Sequence, residues 1–206
     1  MLNRYARALF TRLLTPVAVL LLRLGVGPDA VTLVGTTGVC AGALIFYPRG
    51  QLFLGTVVVT AFVFSDTVDG IMARRVERSG HWGAFLDSTL DRFADAAVFG
   101  GLVLWFTGGG GHRLTGLLAL LCLVLGAIVP YAKARAEGLG MTANVGIAER
   151  ADRLVVVLFT TGLVGLGLPR VVLTVVLALL AVASLVTVMQ RMLLVRRQAL
   201  APADRR

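Results

Sequence analysis

Asp66-Thr67-Val68-Asp69-Gly70-Ile71-Met72-Ala73-Arg74, then eight residues, then Gly83-Ala84-Phe85-Leu86-Asp87-Ser88-Thr89-Leu90-Asp91, is the stretch on which the fold turns. It sets four aspartates at the seam between two apolar runs. Residues three and four apart share one face of a helix, so Asp66 and Asp69 point one way from the first run, and Asp87 and Asp91 one way from the second. A short turn joining the two helices antiparallel lets the pairs face each other. Four carboxylates converging in a poorly solvated setting repel one another, and divalent cations remove that repulsion. Oxygen donors without His or Cys suit hard ions such as Mg²⁺ or Mn²⁺, and four carboxylates can hold two ions in a clamp for in-line phosphoryl displacement. Gly70 leaves room for a phosphate to approach the backbone, Gly83 lets the helices close, and Arg74 reaches phosphate oxygens. The same aspartates also suit an ion or proton pathway in a transporter, with Arg74 and its neighbours serving as membrane-face anchors.

Around this seam the chain is too apolar for a soluble domain. Of 206 residues, 57% are hydrophobic and 15% charged. With glycine counted, about two-thirds are apolar, against ~45–50% in soluble domains. That composition excludes a disordered chain, a disulfide scaffold and an ordinary soluble enzyme. Cys40 and Cys122 lie inside apolar runs and read as small buried hydrophobes.

A spanning helix needs ~20 mainly apolar residues. Six segments approach this: 30–48, 52–73, 84–106, 114–136, 153–168 and 170–193, the fifth being the shortest. Pro48-Arg49-Gly50, the glycines at 108–111 and Gly167-Leu168-Pro169 punctuate them. Residues 1–27, with Arg4, Arg7, Arg12 and Arg23 interrupting apolar residues, read as an amphipathic helix along the membrane interface. The expected architecture is therefore all-α: this surface helix, a six-helix transmembrane domain over 28–196, and a basic tail over 197–206.

Six spans leave both termini on one side. Placing that side in the cytoplasm puts every basic residue except Arg49, Arg113 and Arg170 on the cytoplasmic half, as the positive-inside rule asks. All 11 acidic residues fall there too, although acidic residues contribute little to orientation. Polar chemistry is thus expected at the cytoplasmic face of the cell membrane. Clustering at one face counts against a relay through the membrane thickness.

The string Asp66-x2-Asp69-Gly70-x2-Ala73-Arg74-x8-Gly83-x3-Asp87-x3-Asp91 resembles the signature of the CDP-alcohol phosphotransferase family at all eight defined positions. The resemblance implies a six-span enzyme that cleaves a CDP-linked lipid donor, CDP-diacylglycerol, releases CMP and joins the phosphatidyl group to an alcohol. It implies Asp66, Asp69 and Asp87 on one metal and Asp66, Asp87 and Asp91 on a second. Asp91 would also be the general base, with Gly70 and Arg74 on the nucleotide diphosphate. Pro28-Asp29-Ala30-Val31-Thr32 looks like the family's element near the cytidine, and Gly80 would offer backbone groups to the nucleotide. Asp29 also suits a helix N-cap.

Two further segments, Tyr131 to Glu137 and Asn144 to Arg153, are similar to a subgroup of the family, the actinobacterial phosphatidylinositol phosphate synthases. That similarity implies inositol phosphate as acceptor, held by Lys133, Arg153 and Arg191, and a homodimer among membrane lipids. Nucleic acid is not an expected partner. A sibling reaction with glycerol 3-phosphate would use the same three cations.

Overall fold

The computed structural model describes residues 14–75, 81–147 and 149–200, and of Asp66 the backbone alone. The expectations for residues 1–13, Gly80, the Asp66 side chain and the tail from 201 lie outside the described residues. The remainder is helical: α1 Leu14–Arg23, α2 Pro28–Phe46, α3 Leu52–Val63, α4 Ser65–Arg75, α5 His81–Thr107, α6 Arg113–Glu137, α7 Arg150–Gly165 and α8 Arg170–Ala199. No strand occurs among the described residues.

Local chemistry explains where these helices start, turn and bend. Pro28 opens α2 after Gly27, where its missing N–H costs nothing. Asp29 lies in the first turn, so it meets the positive helix end without being the N-cap, which is Gly27. A 3₁₀ turn at Tyr47–Arg49 ends on Gly50 with φ 75°, beneath the Trp105 ring, where a Cβ would come within 2.5 Å. Gly50 is thus required twice, by its dihedral and by the close approach. The second apolar run does not form one helix. It breaks at Phe64, where the Ser65 hydroxyl bonds the Phe62 carbonyl at 2.6 Å and occupies the notch left by Gly35 of α2.

The main core gathers Tyr47, Val59, Val98, Leu102, Phe106, Val157, Leu173 and Leu177, all fully buried. Gly101 of α5 lets α2 close in, since a Cβ there would sit 2.8 Å from the Ala43 carbonyl oxygen. Cys122 is buried, Cys40 half-buried, and both are free thiols, as read from their apolar settings. A second, smaller cluster ties α1 to α4: Ala18, fully buried, packs with Val68, Ile71 and Met72. The opposite side of α1 exposes Val17, Leu20 and Leu24.

Four stretches are long and apolar enough to cross a membrane: Pro28–Arg49, Leu52–Arg75, Arg113–Glu137 and Arg170–Ala199. Among the six segments read from the sequence, two fall short of that description. α5 has the length, 27 residues, but its first half carries Asp87, Asp91, Arg92 and Asp95. α7 has 16 residues, about 24 Å at 1.5 Å per residue against a ~30 Å hydrocarbon core. Large side chains such as Leu104, Phe159 and Leu179 are exposed around the bundle, the pattern of a surface that meets lipid.

Candidate active site

The four signature aspartates come from two helices that meet through a third. α4 packs against α2 and α3, while α5 packs against α2 and α6, so α2 is the helix on which both pairs rest. Gly83 does not bring the helices together, because a Cβ there would meet nothing within 4 Å. That expectation is corrected: among the described residues nothing fills the space beside Gly83.

On the α4 side, Asp69 is buried and its Oδ2 accepts a bond from the Thr32 hydroxyl of α2 at 2.5 Å. The same hydroxyl lies 3.1 Å from the Pro28 carbonyl in its own first turn. Having one proton, it serves the shorter, charge-assisted bond. The Pro28 to Thr32 element therefore bears on the carboxylate cluster by orienting Asp69. Gly70 follows, with the Arg74 guanidinium over it, 3.6 Å from where a Cβ would be.

On the α5 side, Asp87, Asp91 and Asp95 repeat at four-residue spacing, and the structure gives each a different setting. Asp87 is exposed. Asp91 is largely buried, with Oδ1 held by Arg150 Nη1 at 2.7 Å and Oδ2 3.5 Å from Arg92 Nη2. Asp95 is 5% exposed, bonded by Arg150 Nε at 3.1 Å and facing Arg153 Nη2 at 3.9 Å. Sequence reasoning assigned no role to Asp95, Arg92 or Arg150. The available signal was the i, i+4 step beyond Asp91, which places another carboxylate inside an apolar helix, where it needs a partner.

The three cations expected at the acceptor come from α6, α7 and α8. Arg153 is 3% exposed and lies against Gly126 of α6, Nη1 being 3.3 Å from where a Cβ would stand. Arg191 donates to the Val145 carbonyl at 3.0 Å and to the Val129 carbonyl of α6. Lys133 is partly exposed and lies 3.8 Å from Glu137, one turn along its own helix. Gly126, Val129 and Lys133 share one face of α6 by the i, i+3, i+7 rule. Arg153 and Arg191 therefore approach the face that carries Lys133.

The donor set at the α4 and α5 ends is carboxylate oxygen, which fits a hard divalent ion. Asp69, Asp87 and Asp91 are the described candidates. Among the described residues no three acidic, His or Cys side chains lie close enough together to form a metal site by themselves. The expected set includes Asp66, one turn before Asp69.

Residues 26–148 match the family model for CDP-alcohol phosphatidyltransferase, over more than half of the chain and across the whole aspartate signature. The chain belongs to that family. Within it, the chain is 55% identical to the phosphatidylinositol phosphate synthase of Streptomyces avermitilis, over 99% of this chain and 86% of that protein. It is 48% identical to the enzyme of the same name from Cutibacterium acnes, over 93% and 96%. Among solved structures it is similar to Mycobacterium tuberculosis phosphatidylinositol phosphate synthase with CDP-DAG bound, with TM-score 0.83 and 44% identity, covering 89% of this chain and 94% of that one. The same enzyme in complex with manganese and citrate gives TM-score 0.82 at 43% identity, covering 88% of each chain. Family members thus share this arrangement of helices, and the four-aspartate string lies within the matched region.

Proposed function

We propose that the chain transfers the phosphatidyl group of CDP-diacylglycerol to inositol phosphate, giving phosphatidylinositol phosphate and CMP. The observation that carries this reading is that Arg153 lies against Gly126 of α6 and faces Asp95, while Arg191 donates to the Val129 carbonyl of the same helix, one turn before Lys133. A phosphorylated acceptor needs such a cationic wall beside the carboxylates, and a neutral alcohol does not. Relatives named for this reaction at 55% and 48% identity support the choice of acceptor. A relative with CDP-DAG bound supports the choice of donor.

Thr32 orients Asp69, while Asp87 and Asp91 supply the carboxylates of α5. With Asp66 they hold two divalent ions, Mg²⁺ or Mn²⁺, in keeping with a relative complexed with manganese. Bound there, the ions would offset the carboxylate charge and polarise the diphosphate. Arg74, over Gly70, and the Asp29 to Thr32 turn receive the nucleotide end of the donor, with backbone groups at Gly80 beside it. Lys133, Arg153 and Arg191 hold the acceptor phosphate. Asp91 takes the proton from an inositol hydroxyl, and that oxygen bonds to the phosphorus carrying diacylglycerol. The bond from this phosphorus to the bridging oxygen breaks, and CMP leaves with the electron pair.

The chain works in the cell membrane with six spans, α5 and α7 crossing within the bundle beside the four more apolar stretches, and as a homodimer. Both termini and the aspartates face the cytoplasm, where inositol phosphate and CMP are soluble.

The test is an acceptor comparison with purified protein, CDP-diacylglycerol and Mg²⁺ or Mn²⁺. Inositol phosphate is expected to support CMP release and glycerol 3-phosphate to support little, with no release in EDTA. Turnover with glycerol 3-phosphate alone overturns the acceptor. Ion flux into vesicles without CDP-lipid, and no requirement for divalent metal, overturns the reaction class.

A further inference from the structure

Three arginines and two aspartates meet where side chains from the start of α7 reach α5, and this cluster is larger than the proposed chemistry requires. Arg150 bridges two carboxylates, Asp91 at 2.7 Å and Asp95 at 3.1 Å. Arg153, one turn later, is buried almost completely, and its Nε and Nη1 have no hydrogen-bond partner among the described residues. A buried guanidinium so sparsely bonded is costly, and it persists only where an opposite charge compensates it. Asp95 is the carboxylate in position to do so. One of its oxygens takes Arg150 and the other faces Arg153 at 3.9 Å, so both are engaged by arginines. Asp95 is therefore not a member of the ion-binding set, although it continues the four-residue rhythm of Asp87 and Asp91.

We infer that Asp95 is a positioning residue for the acceptor: it holds Arg153 against Gly126 on the α6 face that carries Lys133, and it steadies Arg150 beside Asp91. Gly126 completes the arrangement from the other side, because a side chain there would press on the guanidinium at 3.3 Å. Without the Asp95 charge, Arg150 retains Asp91 as a partner. Arg153 has no second carboxylate partner among the described residues and drifts from its place. The loss then falls on recognition of a phosphorylated acceptor, and the lipid donor, received by α2 and α4, is spared. The inference rests on the reading that inositol phosphate is the acceptor.

The experiment measures KM for inositol phosphate and for CDP-diacylglycerol separately in wild type, Asp95→Asn and Asp95→Glu. It also follows inositol phosphate binding, without CDP-lipid, by protection against thermal unfolding. Asp95→Asn is expected to raise KM for inositol phosphate at least tenfold, to move KM for CDP-diacylglycerol less than twofold, and to remove the thermal protection. Asp95→Glu keeps the charge on a longer arm and is expected to raise the acceptor KM about threefold at an unchanged donor KM, which also carries the test if Asp95→Asn does not fold. An unchanged acceptor KM in the variants, or equal losses for both substrates, overturns the inference while leaving the proposed reaction standing. A wild-type protein that ignores inositol phosphate overturns the reading itself, and the inference with it.

Discussion

The two ends of the helix bundle are built on opposite principles. At the end where the tight turns lie, polar groups close on one another. His112 Nδ1 meets the Thr115 hydroxyl at 2.6 Å, Thr115 meets Thr174 at 2.7 Å, and Arg170 donates to the Gly110 carbonyl at 2.5 Å. Glycines there admit aromatic rings and backbone, as at Gly50 under Trp105 and Gly101 against Ala43. At the carboxylate end, Arg92 and Arg153 keep buried nitrogens without partners among the described residues, and Asp87 stands exposed. Unmet polar groups cost stability. The unmet arginine nitrogens lie at the carboxylate end, where the negative charge of a ligand would meet them, while the polar groups named at the turn end are paired with one another.

Substitutions can break this division or sharpen it, and the largest expected effect is at Asp91. Asp91→Asn keeps the shape and the approach of Arg150 but removes the base, so CMP release is expected to fall by about 10²–10⁴-fold. Its unfolding midpoint is expected to stay near that of wild type. Retained full activity removes Asp91 as base, and gross unfolding makes it a structural residue instead. Thr32→Val is next. It takes the hydroxyl from Asp69 and is expected to weaken Mn²⁺ binding by about 10–100-fold, as loss of an outer partner of a ligand does. An unchanged Mn²⁺ titration would assign Thr32 to the first turn of α2 alone.

The turn end is expected to answer in stability instead. Gly101→Ala sets a methyl 2.8 Å from the Ala43 carbonyl. Such overpacking costs about 1–3 kcal/mol, measurable by chemical unfolding in detergent, with activity per folded molecule unchanged. Thr174→Val has the smallest effect: it removes the hydroxyl that meets Thr115 and bonds the Arg170 carbonyl one turn back, at about 0.5–1.5 kcal/mol for the bond between helices, while His112 continues to serve Thr115. A loss of turnover per folded molecule in either variant would mean that the two ends are coupled.

Much of this division is written in the sequence, because the features that write it are local. Helical spacing sets Asp87 and Asp91 one turn apart on α5. Pro and Gly mark the turns, at Pro28, Gly50 and Pro169. What escapes is whatever depends on contacts between distant segments. Thr32 and Asp69 are 37 residues apart, Asp95 and Arg150 are 55 apart, and no periodicity announces either bond. The break at Phe64 is equally hidden, because it arises where Ser65 finds the notch of Gly35 on another helix. Gly83 misleads for the converse reason: its spacing suits a close helix contact, but no described residue approaches it. Arg191 is expected at the acceptor phosphate, but its two carbonyl partners, Val145 and Val129, are 46 and 62 residues away and nothing local announces them.

The central claim, that the carboxylate end is a two-ion phosphotransfer site, is tested most directly by counting Mn²⁺ bound per chain in wild type and in Asp69→Asn, with CDP-diacylglycerol present. Two saturable ions per chain are expected in wild type and one in Asp69→Asn, since Asp69 is expected on one ion only. No saturable Mn²⁺ in wild type, or two ions retained in Asp69→Asn at unchanged affinity, would contradict it.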